Sequence, residues 1–156
     1  MRTGVAIGAA CLSGGSALAS FSFDDIGFWV GSGANAAALV IDWNGPDGSE
    51  PVSLAWGFRW DGAATGQDML TAVINADPRL FGRYASFGFG DALVGLGYDL
   101  DGDGFAISDG TDFGPTGLVF GGTSDGATAT DADDFYAEGW NTGFWSYALG
   151  VGEPFN

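Results

Sequence analysis

The sequence predicts an α+β fold: a mostly antiparallel sheet packed on one helix, with a long acidic Gly/Asp-rich loop. Three observations lead there. Residues 52–60 alternate between large apolar and small or polar side chains, the period of a strand with one buried face. Residues 65–76 then switch to helical spacing. Gly is frequent, at 29 residues, and Pro scarce, at 5, which suits turns and closely packed strands rather than a helical bundle.

The elements follow in order. Met1-Arg2-Thr3 supplies one positive charge and Gly4 to Leu12 a short apolar stretch. Ala17-Leu18-Ala19 before Ser20 then matches the small-x-small pattern of signal peptidase. Residues 1–19 are therefore expected to be a signal peptide, with the mature chain beginning at Ser20. The apolar run is too short to span a membrane as a helix. A lipid on Cys11 is the other reading, but Gly8-Ala9-Ala10 lacks the large aliphatic residue usual before such a site. Cleavage at Ser20 removes Arg2 and the only Cys, so residues 20–156, expected to form one β-rich exported domain, hold together without a disulfide.

Ser22 to Val30 reads as a short apolar lead-in ending at Gly31-Ser32-Gly33. Ala37 to Trp43 is a strand rich in branched residues, stopped by Asn44-Gly45-Pro46-Asp47-Gly48. In the next strand Val52, Leu54, Trp56, Phe58 and Trp60 share one face, and Ser53, Ala55, Gly57 and Arg59 the other. Together the two make a hairpin. Met69, Leu70, Val73 and Ile74 recur at helical spacing, with Thr65 as N-cap and Asp68 at the third position after it. Asp77-Pro78 ends the helix, because the residue before Pro avoids helical angles. Two short strands, 84–89 and 92–98, are joined at Gly90-Asp91. Residues 99–134 form the acidic loop, with a brief strand at Leu118-Val119-Phe120, and a last aromatic strand runs from Phe144 to Leu149.

This order matches a β-grasp arrangement, in which a sheet cradles one helix. On Thr65-x-x-Asp68-x-Leu70 at the helix start, and Trp145-x-Tyr147 with Gly150 in the late strand, the stretch from Ala37 resembles the transcobalamin C-terminal-like domain. That β-grasp-type module occurs in vitamin B12 carriers and in bacterial surface proteins. The resemblance implies a binding module for a planar, cobalamin-like ligand, and Tyr147 is a candidate binding residue together with Trp29, Trp140 and Trp145. Leu149 stands where that family places Asn, the acidic insert is long, and the chain stops at residue 156 where the family continues to a closing strand. A C-terminally incomplete chain is therefore expected. The chain is also similar to exported Gly/Asp-rich surface proteins of environmental bacteria, some of which end in a PEP-CTERM-like sorting tag.

Composition bounds the chemistry. The chain has no His and no Lys, and 20 Asp and Glu face 4 Arg. Most hydrolytic, redox and group-transfer catalysis needs an imidazole, amine or thiolate near neutral pH, so a non-enzymatic protein is expected. A net charge of −16 disfavours nucleic acid and anionic membrane surfaces. Paired carboxylates can hydrolyse glycosides, but nothing singles out a pair among so many.

Asp99-Leu100-Asp101-Gly102-Asp103-Gly104 is the sharpest motif. Asp at positions 1, 3 and 5 with Gly at 6 opens a calcium loop: alternate carboxylates converge on a hard cation, and Gly permits the sharp turn. Phe105 would add its carbonyl. Position 12 is Gly110 where a bidentate Glu belongs, leaving Asp109 or Asp112 as distal ligand. The run also reads as a solvated acidic turn. Asp131-Ala132-Asp133-Asp134 with Glu138 is a second acidic cluster, read as a solvated loop. Among aromatics, Trp56, Phe58 and Trp60 suit a core face. Gly27-Phe28-Trp29 and Gly143-Phe144-Trp145 repeat one tripeptide, and Trp29, Trp43, Trp140 and Trp145 are candidates for an apolar platform under a sugar ring or planar cofactor. The leading expectation is an exported, surface or periplasmic binding module, calcium-stabilised; the alternative is a structural protein of the cell envelope without a small-molecule site.

Overall fold

The computed structural model describes residues 22–43, 52–122, 125–140 and 145–150. The expected signal peptide, Cys11, Gly143-Phe144 and the end of the chain lie outside them. After a 3-10 turn at Phe23–Asp25 come β1 (Trp29–Gly31), β2 (Asn35–Trp43), β3 (Val52–Trp60), α1 (Gly66–Ala76), β4 (Leu80–Phe87), β5 (Gly90–Tyr98), β6 (Leu118–Phe120) and β7 (Phe135–Glu138). The fold is α+β.

The strands divide between two hydrogen-bonded sheets, ordered β1-β3-β2 and β6-β4-β5-β7, where the sequence had suggested one. Each hairpin pairs within itself, β2 on β3 and β4 on β5, both antiparallel. Side chains rather than a ladder join the sheets. The Trp43 indole N–H donates to the Leu96 carbonyl at 3.3 Å, and its ring stacks on Phe135 at 5.8 Å. One buried cluster takes in Leu39, Ile41, Trp56 and Phe58 from the first sheet, Leu80, Tyr84 and Leu96 from the second, and Leu70, Val73 and Ile74 from α1.

The hairpin and helix follow the sequence closely. Leu54, Trp56, Phe58 and Trp60 turn toward the core, and Trp56 and Phe58 are buried. The Thr65 side chain accepts from the Asp68 N–H, and the Asp68 carboxylate from the Thr65 N–H, a capping box that satisfies two otherwise unpaired donors. Asp77 closes the helix and is itself buried: its Oδ2 accepts the Trp56 indole N–H at 2.9 Å.

Four details differ from expectation. The β4–β5 turn falls at Gly88-Phe89, with Phe87 paired to Gly90. Residues 145–150 form no strand, so the late aromatic strand is not found among the described residues. β1, read as a lead-in, pairs in parallel with β3, the Gly57 N–H donating to the Phe28 carbonyl at 2.8 Å. β7, a strand the sequence reading did not place, pairs with β5 and carries Glu138 of the second acidic cluster. Elements of three or four residues are too short to show a period, and both are held by a longer neighbour.

Candidate metal centre

β5 ends at Tyr98, and the chain turns sharply at once. The Asp99 N–H donates to the Arg79 carbonyl at 2.9 Å, fixing the loop's first residue to the start of β4. Asp99 is buried, and its carboxylate organises the turn: Oδ1 accepts the Gly102 N–H at 2.6 Å and Oδ2 the Gly104 N–H at 3.1 Å. Gly102 and Gly104 sit at φ of 80° and 128°, backbone that side chains rarely adopt, so both glycines are conformational requirements. The Asp101 Oδ1 accepts the Asp103 N–H at 3.1 Å.

This folding brings one carboxylate oxygen from each of Asp99, Asp101 and Asp103 within 4.8 Å of one another. Calcium–oxygen distances of about 2.3–2.6 Å place opposite ligands about 5 Å apart, so the triad has the spacing of a hard-cation site. The three acids also repel. The Asp101 charge, above all, then slight desolvation and the charges of Asp131 and Asp99, raise the Asp103 carboxyl above the ordinary value.

The second acidic run lies at the same place, which spacing alone did not reveal. Ile107 bridges Ala129, with Ser108 N–H on the Thr128 carbonyl and Thr130 N–H on the Ala106 carbonyl, both at 2.9 Å. That bridge clips the two ends of the acidic region together and returns residues 131–134 to the Asp99 loop. There the Leu100 N–H donates to Asp134 Oδ1 at 3.1 Å. Asp133 is exposed, as a solvated loop would be, but Asp134 is buried. The only sequence signal for this was that Asp134 directly precedes the apolar-aromatic start of β7.

Asp109 and Asp112, expected to supply the distal ligand, are engaged elsewhere. Asp109 Oδ2 accepts from Arg83 at 2.7 Å, and its Oδ1 from both the N–H and hydroxyl of Thr111. Arg83 is largely buried on β4 and also reaches Glu138 at 3.2 Å, so it draws Asp109 away from the triad. Asp112 Oδ1 caps the Gly114 N–H at 2.8 Å. Phe105 follows Gly104 directly, as a carbonyl ligand would require. Its ring is stacked on Phe81 at 4.3 Å and lies where a side chain at Gly97 would be.

No described arginine neutralises the acidic centre. Arg59 lies 4.6 Å over the Trp29 ring, Arg79 4.9 Å over Tyr98 and beside Asp77, and Arg83 pairs with Asp109 and Glu138. The aromatic residues proposed as a platform are placed separately. Trp29 is half-buried flat on Gly57, its indole N–H on the Ile26 carbonyl at 3.1 Å. Trp43 is core, Trp145 is half-buried against the main cluster, and Tyr147 is exposed with its hydroxyl beside Gly66. Trp140 is exposed and stacks on Phe87 at 4.6 Å, which stacks in turn on Phe89 at 5.1 Å. No ring contact joins any two of Trp29, Trp140, Trp145 and Tyr147 among the described residues. A shallow recess of about 340 Å³ between the end of α1 and residues 114–117 is lined by groups such as Asn75, Phe81 and Thr116, without a titratable side chain. No protein-family model matches this chain, and comparisons with curated proteins and with solved structures likewise give no match.

Proposed function

We propose that this chain is an exported, non-enzymatic binding or surface module whose acidic region is ordered by calcium. The observation that carries the reading is the convergence of Asp99, Asp101 and Asp103 within 4.8 Å, with no arginine among the described residues to offset them. Backbone N–H groups and water offset part of that charge, and a bound divalent cation would offset the rest. Export is supported by the residue pattern of positions 1–19. The absence of His and Lys, and a recess without titratable groups, support a role outside catalysis. Among the described residues no helix is long and apolar enough to cross a membrane.

The β-grasp assignment has the capped helix on two antiparallel hairpins in its favour. The division of strands between two sheets, and residues 145–150 outside any strand, weaken its cobalamin-like ligand. A glycan is the other ligand reading: exposed Trp140 and Phe89 each stack on half-buried Phe87. The alternative, an envelope protein without a small-molecule site, is favoured by the scatter of the other aromatic residues.

Calorimetry of calcium into chelator-treated protein tests the calcium reading. Affinity in the weak extracellular range, on the order of 10⁻⁴–10⁻³ M, is expected, and its loss in the Asp101→Ala, Asp103→Ala double variant. Equal heats for the two proteins would reduce the motif to an acidic turn.

A further inference from the structure

Asp134 closes the second acidic run, immediately before β7. Its Oδ1 accepts the Leu100 N–H, which sets the carboxylate against the backbone between Asp99 and Asp101. Its Oδ2 is sealed from solvent and has no hydrogen-bond partner, and the whole residue is only 9% exposed. An unpaired, buried carboxylate oxygen is unfavourable, because a charge removed from water needs a partner in its place. Desolvation raises the Asp134 carboxyl above the ordinary value, and the like charges of Asp99, Asp131 and Asp133 act in the same direction. Every charged neighbour named there is an acid. Arg59, Arg79 and Arg83 are committed elsewhere.

The loop meanwhile lacks a distal carboxylate. Gly110 occupies the position where one belongs, Asp109 is held by Arg83, and Asp112 caps Gly114. One half-site is therefore short of an acid, and beside it stands an acid short of a partner.

We propose that Asp134 is the distal ligand of the cation site: a divalent cation of calcium's size on Asp99, Asp101 and Asp103 recruits the free Oδ2 of Asp134 and ties the two acidic segments together. The oxygens already within 4.8 Å of one another are those of the triad, so on this proposal the Asp134 carboxylate shifts toward them when the cation binds. The site is then discontinuous in sequence, with β5 supplying one side and the lead into β7 the other. Because β5 and β7 are adjacent, paired from Tyr98↔Phe135 to Gly95↔Glu138, the cation sits at the open end of that ladder. This inference rests on the calcium reading of the 99–104 loop.

The test is calcium calorimetry, with melting temperatures in chelator and in calcium, for wild type, Asp134→Asn and Asp112→Asn. Asn at 134 keeps an acceptor for the Leu100 N–H, removes the charge, and puts in place of Oδ2 an NH2 that costs less to bury unpaired than a charged oxygen. Asp134→Asn should weaken calcium binding by about tenfold or more, since ligand charge count sets affinity in such loops. In chelator it should melt at or above wild type, because an unpaired buried charge has gone. A merely structural Asp134 would give the opposite sign. Asp112→Asn, the charge-matched control, should bind like wild type. Wild-type affinity in Asp134→Asn overturns the inference and leaves the calcium reading standing, and a lower melting temperature in chelator overturns it as well. No binding by wild type removes both.

Discussion

At the scale of single residues, the decisive feature is a small number of buried polar atoms fixed by one partner each. The Trp56 indole N–H meets Asp77 Oδ2 at 2.9 Å in the middle of the core, where Asp77 also terminates the helix. Trp56 is only 3% exposed, so Trp56→Ala should destabilise the protein by about 3–5 kcal/mol, the range for emptying a buried aromatic site. Trp56→Phe should retain most of the packing and lose about 1–3 kcal/mol, because a buried carboxylate oxygen is left without its donor. Chemical denaturation of the two variants separates the contributions. A loss below about 1 kcal/mol for the Ala variant would mean that the face is not core. The alternation of residues 52–60 made the Trp56 face legible in advance. Its partner was not, because Asp77 read only as a helix stop before Pro78.

At the scale of elements, each local motif carries its own test. The Thr65–Asp68 capping box sits on an exposed turn, and Thr65→Ala should cost about 1 kcal/mol of stability. A denaturation midpoint equal to wild type would show that the cap is redundant. The Asp109–Arg83 pair ties the acidic region to β4 and predicts a pH dependence. Hydrogen bonds from Thr111 first, then from Arg83, hold the Asp109 carboxyl below its ordinary value of 3.8. A depressed carboxyl stabilises the fold above its unfolded value and loses that contribution as pH falls through the lower folded one. Wild type should therefore exceed Asp109→Asn by about 1 kcal/mol at pH 6–7, with the difference vanishing below the ordinary carboxylate range. Thermal melts of both proteins across that range give the curve. A difference that persisted at the acid end would assign the effect to packing instead of charge.

At the scale of the whole molecule, two sheets share one core while the acidic region is built on the second sheet through short polar contacts and a small hydrophobic cluster of Ile107, Phe113 and Ala127. On the proposed calcium reading, removing the cation should loosen residues 99–122 and 125–134 more than the hairpin and helix. With affinity on the order of 10⁻⁴–10⁻³ M, about 10 mM calcium should stabilise the fold by roughly 1.4–2.7 kcal/mol through mass action. At about 2–4 °C per kcal/mol for a domain of this size, that is a rise of about 3–11 °C in melting temperature. Magnesium, which is smaller and holds its water more tightly, should give much less. Equal shifts with both ions, matched by a monovalent salt of the same ionic strength, would reduce the effect to screening.

The sequence by itself determined what is local. Alternation placed the face of β3, helical spacing with a Thr65–Asp68 cap placed α1, and Asp-x-Asp-x-Asp-Gly placed three carboxylates around one turn. Each depends on residues within a few positions of one another, so backbone geometry alone converts spacing into proximity. Tertiary structure decided whatever depends on contacts between distant segments. It separated the strands into two sheets, added β1 and β7 to longer neighbours, drew Asp109 to Arg83, and set Asp134 beside Leu100 across 34 positions. It also left Trp29, Trp140, Trp145 and Tyr147 without mutual ring contact. The physical reason is common to all of these. An aromatic ring or a carboxylate in a Gly-rich chain has no periodic constraint of its own, and its position is set by whichever buried surface or opposite charge the folded chain presents to it.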